Sequence, residues 1–580
     1  MKIRSLICVL IMSLLAGCTV IPSSGEVVSI PRRVSNSGQG GIMIVPESPP
    51  QGASPIMILR GFLTAMTSYG SDYATAREYL TEEASLRWQP SESQVLIYAS
   101  GTTPRVTGNQ VTMSGAVIGY LRSDYSFLGS PDPTWNHDFG MVKEDGEWRI
   151  SNPTDGLALS QYMFSQTFMR IDTYFFPTSG LTLVPDPRYV HRGAWDRTMA
   201  AHLAVDGPSE WLSRIIDSSI RDGISVEDSV TLAPGGIADI PLSGKAMTLT
   251  PNDATTLAIE IAATMRNVPG VNRIRLFSNG VLLNLAGASE DMSIPVSLAN
   301  NYDSAGTTSA ENLSLIHNDV VASMVDQDPI LTPGDWGTTP RVIQSFAVSR
   351  LRNEVAAVTP KGLLVGVRGG ELPQLLLPGS DLLRPQYDLR GNIWAISNKD
   401  LTTTVTMING DTQIPIDASA LDGMAIQGFQ LAPDGRRIVM VRQVDLPGEG
   451  SRKEIGIALI SYVDSQPAAI ISWKPLRLTW EGSPIRSIVD MAWMGPSSLL
   501  VLGSTGANPA GVYFTDIDGL GMDEWGLPQA WDPREMATHI TSSSPQIVVL
   551  DRDGTAWFYQ EGFRWSHPTI EAVSAITFPV

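Results

Sequence analysis

The sequence predicts two α+β domains followed by an all-β propeller. Three observations lead there. Apolar residues recur at spacings of three and four around residues 56–66 and 257–265, the period of amphipathic helices, and this pattern largely disappears after about residue 310. From there, short strand–turn–strand units repeat every 40–60 residues, the period of a propeller blade. Gly 52 and Pro 40 among 580 residues make the chain turn-rich, as many hairpins require. At about 150 residues per domain, the length allows three or four domains.

Composition removes several function classes. Charged residues are 17% of the chain, against about 25% in ordinary soluble proteins. Lys+Arg 40 against Asp+Glu 59 leaves −19, which argues against binding nucleic acid, since a phosphate backbone needs clustered cations. The two cysteines, Cys8 and Cys18, can build neither a disulfide scaffold nor a cysteine zinc site.

The N-terminus sets the compartment. Lys2 and Arg4 precede an apolar run over residues 6–15, interrupted only by Ser13. Ten residues are half of the roughly 20 a bilayer span needs but suit a signal-peptide core. Leu15-Ala16-Gly17-Cys18 then places small residues before a cysteine, like a bacterial lipobox. That resemblance implies cleavage between Gly17 and Cys18, a diacylglyceryl group on the Cys18 thiol, and often an acyl chain such as palmitate on the new amine. Two or more chains give stable anchoring at about 0.8 kcal/mol per buried methylene. The expected location is the extracytoplasmic face of the cell membrane, held by lipid. Residues 1–17 thus form the signal, and 18–54 the lipidated cysteine and a Pro-, Gly- and Ser-rich tether. As a flexible coil the tether reaches about 33 Å.

The first domain is expected over 55–157. Ser54-Pro55 is a helix start, and Ile56, Leu59, Leu63 and Met66 give one apolar face. Asp72 is placed to cap a second helix that turns Tyr73, Ala76 and Leu80 inward. Strand patterns follow at 95–98 and 110–120, and Asp145-Gly146 closes a hairpin. Helices before a curved antiparallel sheet suggest a cone like the nuclear-transport-factor-2 type. Trp88, Tyr98, Trp135 and Trp148 either line a pocket in it or fill its core.

The second domain is expected over 158–300. Residues 174–176 and 181–184 read as strands, and a helix around 199–205 ends at Gly207-Pro208. Thr250-Pro251-Asn252-Asp253 has the capping-box form, and Leu257, Ile261 and Met265 share the following helix face. Residues 273–283 form a hairpin about Ser278-Asn279-Gly280.

The third region, 301–580, holds the repeat. Strands at 345–349, 384–388, 428–432, 489–493 and 547–550 each lead through a turn into a second apolar strand. About six blades fit the length, and two β-sandwiches are the alternative.

No catalytic site, resident metal or cofactor stands out. His137, His191, His202, His317, His539 and His567 are scattered, with no two at metal-ligand spacing. Nucleophile-elbow and Walker patterns do not occur. Asp516-Ile517-Asp518-Gly519 and Asp551-Arg552-Asp553-Gly554 are either weak calcium loops or plain blade turns. A propeller hydrolase of wall polymers would need paired carboxylates converging on the axis.

These features reach a family resemblance. The lipobox, the 56–66 helix with Ala76-Arg77-Glu78-Tyr79-Leu80-Thr81, and the blocks 148–153, 155–160 and 183–190 are similar to the actinobacterial LpqB lipoproteins. The resemblance covers nearly the whole chain. It implies an N-terminal cystatin- or transport-factor-like domain, a GerMN domain and a C-terminal propeller. Residues 215–245 lack a crisp strand pattern, which blurs the GerMN match there. The resemblance also implies a non-enzymatic accessory of the MtrA–MtrB two-component system, contacting the outer domain of the sensor kinase MtrB. A binding module for cell-wall glycan or peptide is the alternative, and a wall hydrolase a further one.

Overall fold

The computed structural model describes residues 46–580, apart from 69–70, 92–93, 109, 131–133, 305–310, 400, 447–449, 481, 507–509, 527–531, 541–544, 561, 563, 569 and 571. The lipobox, with Gly17 and Cys18, and most of the tether lie outside the described residues.

Ser54 is extended and Pro55 opens the helix Pro55–Ala65, as its fixed φ favours. The helix buries Ile58, Leu59, Phe62 and Ala65, so its inward face is rotated from the one expected; Ile56 and Leu63 are only half-buried. Gly61 permits a close approach: a Cβ there would clash with the Tyr79 ring. Tyr73, Ala76 and Leu80 do turn inward. Asp72 does not cap the short helix Ala74–Arg77; its own φ is +69°, and its carboxylate pairs instead with Arg77 at 2.6 Å. The long strand Gln110–Leu121 is the spine of the sheet, pairing with Pro104–Thr107, Val95–Tyr98, Phe127–Gly129 and Thr134–Asp138. Leu157–Ser160 adds in parallel to Val95–Tyr98. The first domain therefore runs past residue 157, and Ser160 caps the next helix, Gln161–Thr167, by accepting from the Met163 N–H.

The second domain opens with an antiparallel hairpin, Phe168–Phe175 against Val184–His191. Asp196 caps helix Arg197–Val205, and Thr250 caps helix Pro251–Met265 with Pro251 in its first turn. The latter helix buries ten side chains, including Leu257, Ile261 and Met265. It links the parallel strands Ile237–Leu242 and Arg273–Ser278, which center a five-stranded sheet. Within 215–245, Thr231–Ala233 is an edge strand with two of its three residues exposed, so no inward–outward alternation marks it.

The third region contains six four-stranded antiparallel sheets among the described residues. Their first strands in ring order are Val573–Thr577, Ser345–Ser349, Gln386–Tyr387, Ala425–Leu431, Ser487–Gly495 and Pro533–Ile540. The C-terminal strand Val573–Thr577 is the inner strand of the first blade and pairs with Ser314–His317 from the start of the region. The last strand of the region and its first thus close the ring of a propeller. Blade turns reuse one device: Asp388 accepts from the indole N–H of Trp394 (3.3 Å), and Asp551 from that of Trp557 (2.8 Å), each six residues on.

Candidate functional site

The sequence-marked block 183–190 proves to be a hub. It supplies the second strand of the hairpin, and in Val184–His191 every residue but Pro187 is buried. Such two-sided burial arises because all three domains touch this strand. The Tyr189 N–H donates to the Tyr125 carbonyl of the first domain (2.8 Å), and Arg188 donates to the carbonyl of Asp124. The Tyr189 hydroxyl donates to Asp518 of the propeller at 2.9 Å. On the partner strand, Arg170 pairs with Asp172 at 2.8 Å and with Asp516 of the propeller at 3.2 Å, and donates to the Ser497 carbonyl at 3.1 Å. The Ser497 hydroxyl donates to Asp172 at 2.8 Å. An apolar layer of Phe175, Val184, Leu212, Ile215 and the propeller residue Leu459 backs these bonds.

Charge is uneven at this joint. Three carboxylates, Asp172, Asp516 and Asp518, surround one guanidinium. Burial tends to lower the Arg170 pKa, but Asp172 and Asp516 more than offset it and raise it. Burial pushes Asp516 up to about 7, against Arg170 and with help from Asp518 and Asp172. Burial, then Asp518 and Asp516, raise Tyr189, so its hydroxyl stays a donor. Asp516 and Asp518, weighed as a calcium loop, thus serve as docking acceptors. In the other such loop, Asp553 accepts from the Thr555 N–H at 2.9 Å, as in an ordinary turn. No cluster of three metal-ligating side chains occurs among the described residues.

A cleft of about 410 Å³ opens beside the hub where the three domains meet. Trp211 forms part of its lining and donates its indole N–H to the Ser472 carbonyl at 2.8 Å. Nothing in the sequence placed Arg170, Tyr189, Trp211 and Lys474 together; only their residue types, cations and aromatics amid an apolar pattern, hinted at roles.

A second polar cluster lies on the propeller axis. Arg384, from the loop entering the third blade, reaches Asp490 on the fifth (3.1 Å) and Glu535 on the sixth (2.6 Å). Asp490 and Glu535 stand in the first halves of their inner strands, whereas the hub contacts fall after the inner strand (Ser497) and at or just past the end of the third strand (Asp516 and Asp518) of the fifth blade, two strands that run in the same direction. The two clusters therefore occupy opposite faces of the propeller. Burial pushes Glu535 up to about 7, against Arg384. Paired axial carboxylates are what a hydrolase would need, but here both are engaged by one arginine.

The first-domain aromatics pack as core. Trp88 and Tyr98 are buried, and Trp135 and Trp148 pack partly buried against the same cluster. The histidines stay apart. His191 joins the first two domains, with Nε2 donating to the Thr67 carbonyl at 3.2 Å while Nδ1 accepts from the Gly193 N–H; burial lowers its pKa. His137 contacts the Asn152 carbonyl, His317 contacts Asn318, His539 stacks on Phe578 and His567 lies against Trp557. No helix among the described residues is long and apolar enough to cross a membrane.

Comparison with known proteins agrees with this architecture at both ends. Residues 48–165 match the family model described as Lipoprotein LpqB, N-terminal domain, and residues 321–570 match the Lipoprotein LpqB beta-propeller domain. Lipoprotein LpqB of Cutibacterium acnes is 29% identical, with 97% of each chain covered. The Streptomyces coelicolor and Mycobacterium bovis BCG proteins of that name are 26% and 28% identical, covering 87% and 88% of each chain. Among solved structures, TolB from Acinetobacter baumannii gives a TM-score of 0.30 at 11% identity, covering 61% of this chain and 98% of that one. With both of its named domains present, in order, and relatives aligned over up to 97% of its length, the chain belongs to the LpqB lipoprotein family.

Proposed function

We propose that this protein is a non-enzymatic, lipid-anchored accessory on the extracytoplasmic face of the membrane, which modulates an MtrA–MtrB two-component system by contacting the outer domain of the sensor kinase. The observation that carries the reading is full-length correspondence to LpqB lipoproteins, combined with the Leu15-to-Cys18 lipobox. The hub adds a physical reason. A tethered body whose domains are joined by buried ion pairs and hydrogen bonds presents a fixed surface, so little order is lost on binding. Confinement at the membrane raises effective concentration toward the millimolar range, which lets a modest affinity suffice. The engagement of Asp490 and Glu535 by Arg384 weighs against a hydrolase.

The test is reconstitution. Full-length kinase in vesicles is assayed for phosphotransfer to MtrA with the lipidated chain, with the Cys18→Ala chain and with neither. The reading predicts that the anchored chain changes the rate and that Cys18→Ala loses the effect at equal total concentration. An unchanged rate with the lipidated chain present on the same vesicles contradicts it.

A further inference from the structure

The cleft where the three domains meet has spent its acceptors and kept its donors. Asp186 accepts from Arg188 and from the N–H and hydroxyl of Ser209. Asp518 accepts from Tyr189 and from the Leu520 N–H. Asp186 and Asp518 are therefore committed to the protein itself, while Glu210, largely exposed, is held by Arg122.

The cations differ. Lys474, on the outer strand Gln466–Leu476 of the fourth blade, has three N–H donors. Among the described residues its one hydrogen bond is a long contact of 3.5 Å to the Phe127 carbonyl. Its ammonium otherwise lies 5.5 Å from the center of the Trp211 ring. Arg214, exposed on the cleft wall, has no ion pair or hydrogen bond among the described residues. The indole N–H of Trp473, another lining residue, is buried without a partner.

We propose that this cleft is a binding site for a small anionic molecule, whose carboxylate or phosphate is held by Lys474 and Arg214 while its less polar part lies against Trp211. The volume falls in the range of small-ligand pockets, about 300–1,000 Å³. Burial lowers the Lys474 pKa despite Asp518, Asp186 and Asp124 nearby, so the ammonium sits at a cost that an arriving anion relieves. The ligand touches the first domain through Phe127, the second through Trp211 and the propeller through Lys474. Occupancy would thus stiffen the joint on which the whole body depends. The site stands independently of any kinase contact.

Isothermal titration calorimetry on residues 19–580 tests it with three probes: N-acetyl-D-alanyl-D-alanine for a carboxylate, glycerol 1-phosphate for a phosphate, and glycerol as the neutral control. The expected result is saturable binding of at least one anion with Kd below about 1 mM, and none of glycerol. Which anion binds identifies the source, a wall peptide or a phosphate ester. Lys474→Met weakens binding about tenfold or more, as loss of a charged hydrogen bond does, and Arg214→Ala weakens it less. Without ligand, Lys474→Met raises the unfolding midpoint, because the methionine keeps the stem without the half-buried charge. Failure of both anions to bind below about 10 mM, wild-type affinity in both variants, or a lowered midpoint in unliganded Lys474→Met each overturns the proposal.

Discussion

Replacing Arg170 by Met tests the joint between hairpin and propeller. The guanidinium pairs with Asp172 and Asp516, and the three side chains are 17–19% exposed. Methionine fills most of the volume but leaves two carboxylates facing each other with little water. Breaking a buried pair from one side costs about 3–5 kcal/mol; partial exposure here favours the lower end, about 3 kcal/mol. The penalty depends on pH, with a definite sign. Asp516 already has a folded-state pKa of about 7, above its ordinary 3.8. A raised carboxylate contributes stability below its unfolded pKa and loses it as pH rises through the folded one. Without Arg170 that pKa climbs further, so the variant is hurt more at pH 8 than at pH 5. Urea denaturation followed by tryptophan fluorescence at both pH values measures this, and hydrogen exchange in Phe168–Phe175 localises it. A loss under about 1 kcal/mol at pH 8, or equal losses at both pH values, would refute the buried-network argument. The triple variant Arg170→Met, Asp172→Leu, Asp516→Leu should recover most of the loss, since apolar replacements of a whole buried ion cluster are often neutral or better.

Other perturbations have equally definite outcomes. Glu260→Ala removes the buried partner of Arg221 and the acceptor of the Phe176 N–H, and should cost the second domain about 3–5 kcal/mol in chemical denaturation. Glu535→Gln should flatten the fall in propeller stability between about pH 5 and 7, because Glu535 titrates near 7 when folded against an ordinary 4.5; an unchanged pH slope contradicts the axial assignment. Deleting residues 573–580 removes the inner strand of the first blade and strips cover from Leu315 and Ile316; circular dichroism should show an unfolded or strongly destabilised propeller rather than a trimmed one. Gly61→Ala forces a methyl against the Tyr79 ring and should cost about 1–3 kcal/mol by thermal unfolding.

Local chemistry was legible from the residues alone, and long-range pairing was not. The Thr250-Pro251 start and the Asp145-Gly146 turn are written in contiguous residues, and both occur where the sequence places them. The helix at Pro55–Ala65 was visible but its inward face was not, because Ile56, Ile58, Leu59, Phe62 and Leu63 are apolar around much of the circumference. The edge strand Thr231–Ala233 left no trace, since exposed strands need no alternation. Blade turns announced themselves through Asp and Gly, but whether Asp516 and Asp518 faced a cation, solvent or Arg170 depended on a hairpin more than 300 residues earlier. The cleft was hidden for the same reason: Trp211, Phe127 and Lys474 come from three different domains.

The proposed function turns on direct contact between this protein, anchored through Cys18, and the outer domain of a sensor kinase. Biolayer interferometry of residues 19–580 against the extracytoplasmic domain of the host's own MtrB-like kinase, at two salt concentrations, tests it most directly. The account predicts saturable binding at micromolar affinity or tighter, weaker at high salt if the kinase presents a basic surface to this acidic chain. No binding up to about 1 mM, the effective concentration that tethering can supply, with both proteins folded, would contradict it.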